Sequence, residues 1–404
     1  MKLALIIDDY LPNSTRVGAK MFHELAVELL QNGHQVTVIT PEINASQCFS
    51  TDNIDGVEVW RFDSGPIKDV SKYQRAINET LLSFRAWRSL KSKVNENTFD
   101  GVIYYSPSIF WGRLVYNIKK KCGCPAYLVL RDMFPQWVID AGMLRSGSLL
   151  DKYFRFFEQY SYEQADGIGL MSDRNLELFQ SQNRTLPCEV LRNWASLTAH
   201  VSYEDESTSF RKRLNLHDKT IFFYGGNIGH AQDMANLMRL AKKMQIHPQA
   251  HFLFVGQGDE VDLINRLATD WKLSNFSYLP SINQQEFKRL LSEVDVGLFS
   301  LSANHTSHNF PGKLLGYMVQ SLPILGSVNE GNDLMDIVNA NQAGFIHLNG
   351  QDGALFASAE RLLLDQSLRS TIGEGAYELL INQFSVHSAA QAIQNKLGAS
   401  NALN

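Results

Sequence analysis

Short apolar runs alternate with amphipathic stretches along almost the whole chain. In the first half, Leu3 to Ile7, Gln35 to Thr40, Gly101 to Tyr105, Ala126 to Leu130, Gly167 to Met171 and Glu189 to Leu191 read as strands. Helices are predicted from about Gly18 to Asn32 and from about Lys72 to Asn95. Strands this short and apolar belong in a parallel sheet covered by helices on both faces, an α/β fold. The rhythm dissolves between Asn193 and Thr208 into a polar stretch, which marks a domain boundary. It resumes with strands predicted at Thr220 to Phe223, His251 to Val255, Ser277 to Leu279, Val296 to Phe299, Pro323 to Gly326 and Gly344 to His347. The domains are therefore expected at 1–198 and 199–383. Residues 384–404 hold a last helix whose composition leaves open whether it crosses back onto the first domain. Two such domains facing each other across a cleft would place function at the carboxyl ends of both sheets.

Two segments interrupt this pattern with candidate chemistry. Tyr224-Gly225-Gly226-Asn227-Ile228-Gly229 follows a strand and leads toward a helix expected from Asp233 to Lys243, so a ligand could approach its backbone without Cβ interference. Pro311-Gly312-Lys313-Leu314 precedes another helix, where free N–H groups, the positive end of the dipole and the Lys313 ammonium would suit an anion such as a diphosphate. Each is by itself also compatible with a plain turn. Further turns after strands, Gly256-Gln257-Gly258-Asp259, Pro280-Ser281 and Ser300-Leu301-Ser302, would join them in one crevice and hold a base, ribose and diphosphate in sequence.

Composition narrows the class. At 404 residues with 44% hydrophobic content, the chain suits two well-cored domains. The opening apolar run stops at Asp8-Asp9, too soon for a signal peptide, and no stretch reaches the length of a membrane span. The expected compartment is the cytoplasm. Cys48, Cys122, Cys124 and Cys188 have neither zinc-site spacing nor a disulfide framework. The net charge of −5 shows no basic field for nucleic acid. Residues 61 to 93 nevertheless hold eight basic side chains against three acidic ones, interleaved with Leu81, Leu82, Phe84, Trp87 and Leu90. A helix there either rests on an anionic membrane surface or buries its aromatics in the core.

The chain resembles the retaining glycosyltransferases of family 4, with two Rossmann-like domains (GT-B), from bacterial O-antigen and capsule synthesis. The resemblance runs over nearly the full length, through Gly33-His34-Gln35-Val36-Thr37-Val38, Arg131-Asp132-Met133-Phe134-Pro135, Arg192-Asn193-Trp194, the Tyr224 to Gln232 segment, Phe254 to Gly258, Asp295 to Leu298, and Pro311-Gly312-Lys313 through Leu325. Within that group it is similar to L-fucosamine transferases. The resemblance implies a UDP-sugar donor bound by the second domain and a polyprenyl-diphosphate-linked saccharide acceptor bound by the first. It also implies retention of configuration, no metal ion or other cofactor, and a peripheral position on the cytoplasmic face of the inner membrane. Lys313 and the backbone near Gly226, Asn227 and Gly312 would stabilise the departing diphosphate.

The chain departs from the family at two places. The paired glutamates of many members fall on His308 and Gly316, removing both carboxylates. An Arg and a Lys that often follow the glycines are replaced by His230-Ala231-Gln232-Asp233. On the acceptor side, Ser14, Arg16 and Gly18 stand where the family has a glycine-rich loop. Arg16 there either holds a phosphate or stays solvated beside a helix capped by Ser14 or Thr15. Arg131 and Asp132 either contact the sugar or form an internal salt bridge, and His308 is either a site contact or a loop residue. A non-catalytic nucleotide-sugar binder and an epimerase of the same architecture are the alternatives to transfer.

Overall fold

The structure, a computed structural model, describes residues 1–12, 14, 16–43, 47–66, 71–106, 108–140, 142–197, 209–304 and 311–401. The chain divides into two units, Met1–Arg192 with Val386–Asn404, and Asn193–Ser385.

In the first unit, β1 (Lys2–Ile6), β2 (Gln35–Glu42), β3 (Phe49–Ile54), β4 (Val57–Asp63), β5 (Gly101–Tyr105), β6 (Ala126–Leu130), β7 (Gly167–Leu170) and β8 (Cys188–Val190) form one sheet. Its order is β3-β4-β2-β1-β5-β6-β7-β8. Neighbours are parallel except for β3 and β4, an antiparallel hairpin turned through Asp55 and Gly56 at positive φ. The helices are α1 (Val17–Gln31), α2 (Lys72–Thr80), α3 (Leu82–Leu90), α4 (Gly112–Cys122), α5 (Gln136–Asp140), α6 (Leu149–Tyr162) and α7 (Asp173–Gln182). Leu3 to Ile6 are wholly buried, and α1 packs Phe22, Leu25 and Leu29 into the core. Each such Leu, Ile or Phe side chain contributes about 1.5–3 kcal/mol.

In the second unit, β9 (Thr220–Asn227), β10 (Ala250–Gln257), β11 (Phe276–Leu279), β12 (Val296–Ser300), β13 (Ile324–Val328) and β14 (Gly344–Leu348) form a sheet in the order β11-β10-β9-β12-β13-β14. All its neighbours are parallel. Its helices are α8 (Phe210–Arg213), α9 (Met234–Met244), α10 (Val261–Asp270), α11 (Gln284–Leu291), α12 (Gly312–Val319), α13 (Asp333–Ala340), α14 (Asp352–Leu364) and α15 (Gln366–Leu379). Apolar clusters cover both faces, one around Phe223, Leu253 and Tyr317 and the other around Phe222, Phe252 and Met238.

The last helix, α16 (Val386–Asn401), belongs to the first unit. Its Lys396 stem covers Gly167, where an added Cβ would lie only 2.7 Å away, and His387 Nδ1 meets Glu28 Oε1 at 2.9 Å. Apart from the edge hairpin β3–β4, each sheet reverses its strand order once, at β1/β5 and at β9/β12, and doubly wound sheets take ligands at the carboxyl ends beside such a reversal.

Candidate functional site

At the reversal in the second unit, Gly225-Gly226-Asn227 is the end of β9 rather than a turn after it. The strand stays paired with β10 through Gly226↔Gly256 and Asn227↔Gln257. The pairing is close: a Cβ on Gly256 would lie 1.8 Å from the Gly226 carbonyl oxygen, and one on Gly258 would lie 2.2 Å from that of Ile228. These glycines thus serve strand contact first, and they leave Gly226, Asn227, Gln257 and Gly258 exposed along one sheet edge. Gly225 is buried under the Phe287 ring, with no room for a side chain.

The helix α12 begins beside this edge, with Pro311 as its N-cap and Gly312 as its first residue. Its second residue, Lys313, reaches back over β9. The ammonium sits 3.8 Å from the centre of the Tyr224 ring, and a Cβ on Gly226 would lie 3.6 Å from it. Lys313 Nζ is sealed from solvent and has no hydrogen-bond partner among the described residues. Burial pulls its pKa down to about 7. An isolated charge so placed is costly unless a counter-charge arrives, and the ring face offsets only part of that cost.

One helical turn on, Tyr317 shares the face of Lys313 and fixes it. Its hydroxyl accepts the Gly225 N–H at 3.3 Å and lies 3.2 Å from the Leu298 carbonyl, joining α12 to both β9 and β12. Gly297 makes room for that ring, since a Cβ there would collide with it at 2.4 Å. Tyr224 donates its own hydroxyl proton to the Asn227 carbonyl. Neither tyrosine stands out in the sequence, where both look like core aromatics. Only the packing of α12 shows that they position the lysine.

The remaining expected donor residues fall unevenly. Pro280 and Ser281 are exposed at the end of β11, on the same edge of the sheet. Leu314 does not belong to the site: its side chain is wholly buried in the core and its N–H donates to the Pro311 carbonyl. Gly316 is half-buried, with Leu291 3.3 Å from the position of a Cβ, so no side chain stands where the family's ribose-binding carboxylate would be. His308, with His305, lies outside the described residues. His230 occupies the stretch where relatives carry cations. Its Nδ1 lies 2.8 Å from Glu260 and its Nε2 3.3 Å from Asp259, and these contacts, Glu260 first, raise its pKa.

The reversal in the first unit gathers a second polar group. Arg16 is paired with Asp8 and Asp9, each at 3.4 Å, while its side chain stays solvated, 55% exposed. It is also the N-cap of α1, and its own side chain does not cap that helix; Ser14 Oγ donates to Asp9 and accepts the Arg16 N–H. Thr15 lies outside the described residues. Gly18 lets the Tyr105 hydroxyl approach α1, where a Cβ would be 2.9 Å away. Asp8 is pushed up in pKa by burial, which Arg16 partly offsets. Arg131 is buried, its guanidinium donating to the carbonyls of Leu130 and Arg192. Asp132 beside it is open to solvent. Arg131 is thus a brace at the end of β6, and Asp132 the group presented outward.

Residues 205–379 match the family model of Glycosyl transferases group 1. The probable glycosyltransferase WbjE of Pseudomonas aeruginosa is 23% identical over 220 residues, a match spanning 54% of this chain and 54% of that protein. The chain thus spans about half the length of that relative. The colanic acid biosynthesis glycosyl transferase WcaI of Escherichia coli K12 is 23% identical over 332 residues, 78% of this chain and 80% of that protein. Among solved structures, HepE of Anabaena, in complex with UDP and glucose, superposes with a TM-score of 0.67 at 14% identity over 99% of this chain and 100% of that one. With two Rossmann-like units, the chain has the GT-B fold, and its second unit, which holds Lys313, is similar to a group 1 glycosyl transferase domain.

Proposed function

We propose that the protein is a retaining, metal-independent glycosyltransferase of surface polysaccharide synthesis. It moves an N-acetylated amino sugar, N-acetyl-L-fucosamine being the specific candidate, from its UDP derivative to a saccharide carried on a polyprenyl diphosphate. The observation that carries the reading is Lys313, an ammonium held dry, with no hydrogen-bond partner among the described residues, at the strand-order reversal beside a helix start. A diphosphate supplies the missing counter-charge. As the bond from the sugar's C1 to the diphosphate oxygen breaks, negative charge grows on that oxygen, and a preorganised ammonium with the first N–H groups of α12 stabilises it. The acceptor hydroxyl forms the new bond on the same face of C1 and passes its proton to the departing phosphate oxygen. HepE, of like fold, holds UDP, and WcaI is described in colanic acid synthesis; both support this class of donor and product. Asp132 and Asp8 are the proposed contacts to acceptor hydroxyls.

The test is a panel of UDP- and GDP-sugars incubated with and without a polyprenyl-diphosphate-linked N-acetylhexosamine, with nucleotide release read by mass spectrometry. UDP release from one donor only when acceptor is present supports transfer. Tight UDP binding without release on any acceptor supports the non-catalytic binder, the reading favoured by the bare Gly316 position.

A further inference from the structure

Two of the four cysteines meet just before β6. Helix α4 ends at Cys122, and Gly123 follows with φ 68° and ψ 25°, its N–H donating to the Lys119 carbonyl at 2.8 Å. A Cβ on Gly123 would touch nothing within 4 Å, so the left-handed backbone, not crowding, is what asks for glycine there. That reversal turns Cys124 back beside Cys122, and the two thiols hydrogen-bond to each other. Cys124 is 5% exposed and belongs to the apolar cluster that holds Val94 and Phe99, whereas Cys122 stays half-buried at its margin.

The two sulfurs have different surroundings. The Cys122 thiol donates to the Asn95 carbonyl at 3.2 Å, and the N–H groups of Phe99 and Thr98 point at the same sulfur. Lys121 stands next to it in the chain, its ammonium tied to the Lys91 carbonyl at 2.7 Å. The hydrogen bond with Cys124, then the Phe99 N–H, the Lys121 charge and the Thr98 N–H, hold the Cys122 thiol below the ordinary range, against the opposing effect of its partial burial. Cys124 is raised instead, first by that same hydrogen bond and then by burial. The pair therefore gives up its first proton at the residue open to solvent and keeps the second on the one beneath it. An acidic, accessible thiol in contact with a second thiol is the arrangement of a redox-active pair, whereas a purely structural cysteine needs neither the partner nor the donors.

We propose that Cys122 and Cys124 are a peroxide-sensitive dithiol that closes reversibly into a disulfide. The Cys122 thiolate attacks hydrogen peroxide, an S–O bond forms as the O–O bond breaks, and the hydroxide released takes up a proton and leaves as water. Cys124 then attacks the Cys122 sulfur, the S–O bond breaks, and the hydroxyl leaves as a second water with the Cys124 proton. Two electrons pass from the two sulfurs to the peroxide. Closure also withdraws the thiol proton from the Asn95 carbonyl, which accepts the Thr98 N–H at 3.2 Å and closes the turn beside the site. The dithiol is independent of the sugar-transfer reading.

Both cysteines fall in one tryptic peptide, residues 122–131, released by cleavage after Lys121 and after Arg131, so the bond registers as the loss of two hydrogens within that peptide. The test treats the full chain with hydrogen peroxide, blocks the remaining thiols and maps the peptides by mass spectrometry, with the exposed Cys48 as internal reference. The expected result is a disulfide within peptide 122–131 that forms at least about tenfold faster than Cys48 is oxidised and is reversed by dithiothreitol. In C124S the reaction should stop at a Cys122 sulfenic acid that dimedone traps, and in C122S the peptide should stay reduced. Circular dichroism checks the folding of both variants, and the wild-type result stands without them. Oxidation of Cys122 no faster than that of Cys48 overturns the proposal. So does conversion of wild-type Cys122 to the sulfinic acid with no disulfide in the peptide.

Discussion

The Lys313 ammonium rests 3.8 Å above the Tyr224 ring, the lysine arriving from α12 after β12 and the tyrosine standing on β9, so their contact bridges the reversal of strand order. The contact is poor as a stabilising device, because Nζ has no hydrogen-bond partner among the described residues. Lys313→Met keeps the stem and removes the charge. We expect its stability in urea to equal that of the wild type or exceed it by about 1–3 kcal/mol, the scale of an unpaired buried polar group. A loss of stability would show that the lysine is a structural element.

Proton linkage gives a second check. Burial lowers the folded-state pKa of Lys313 to about 7 from the ordinary lysine value of 10.5. Between those values the unfolded chain holds a proton that the folded chain has released. This group's contribution to stability therefore rises with pH across that window, and Lys313→Met should remove that part of the slope. Binding of a diphosphate favours the charged form, so UDP affinity should fall as pH rises from about 7 to 9, with proton uptake on binding. Calorimetry in buffers of different ionisation heat measures that uptake, and its absence would contradict the placement of the diphosphate at Lys313.

Gly256→Ala tests the strand contact that shapes the donor edge. Its Cβ would fall 1.8 Å from the Gly226 oxygen, a backbone atom that cannot rotate away. We expect the ends of β9 and β10 to part, with a stability loss of about 1–3 kcal/mol in urea and a weaker UDP affinity.

The wholly buried strands were legible because uninterrupted apolar runs such as Leu3 to Ile6 need both faces covered. The β3 strand, Phe-Ser-Thr-Asp-Asn-Ile, was not, because an edge strand half in water carries no such run. The sequence predicts a turn at the glycines of the Tyr224 segment, whereas the structure keeps them in β9 at the carboxyl edge of the sheet. Only the pairing with Gly256 shows that they let two backbones touch. Lys313 was legible from its helix start, whereas its neighbour Leu314 was misplaced, since adjacent residues on a helix face different ways. Tyr317 and Tyr224 carried no local signal, because their role depends on residues about ninety positions apart in the chain meeting at one point.

Arg131 and Asp132 should separate cleanly. Arg131→Ala leaves the buried carbonyls of Leu130 and Arg192 without that donor, for an expected loss of about 1–3 kcal/mol in thermal or urea unfolding. Asp132→Asn, at an exposed position, should hold stability within about 0.5 kcal/mol while raising KM for the acceptor. An unchanged acceptor KM would remove Asp132 from the acceptor site.

The most direct measurement is acceptor-dependent UDP release by the wild type and by Lys313→Met at matched folding. We expect turnover in the wild type and a loss of more than about tenfold in the variant, since a donor to the leaving group is gone. Equal turnover by the two proteins would contradict the assignment of Lys313 to the departing diphosphate.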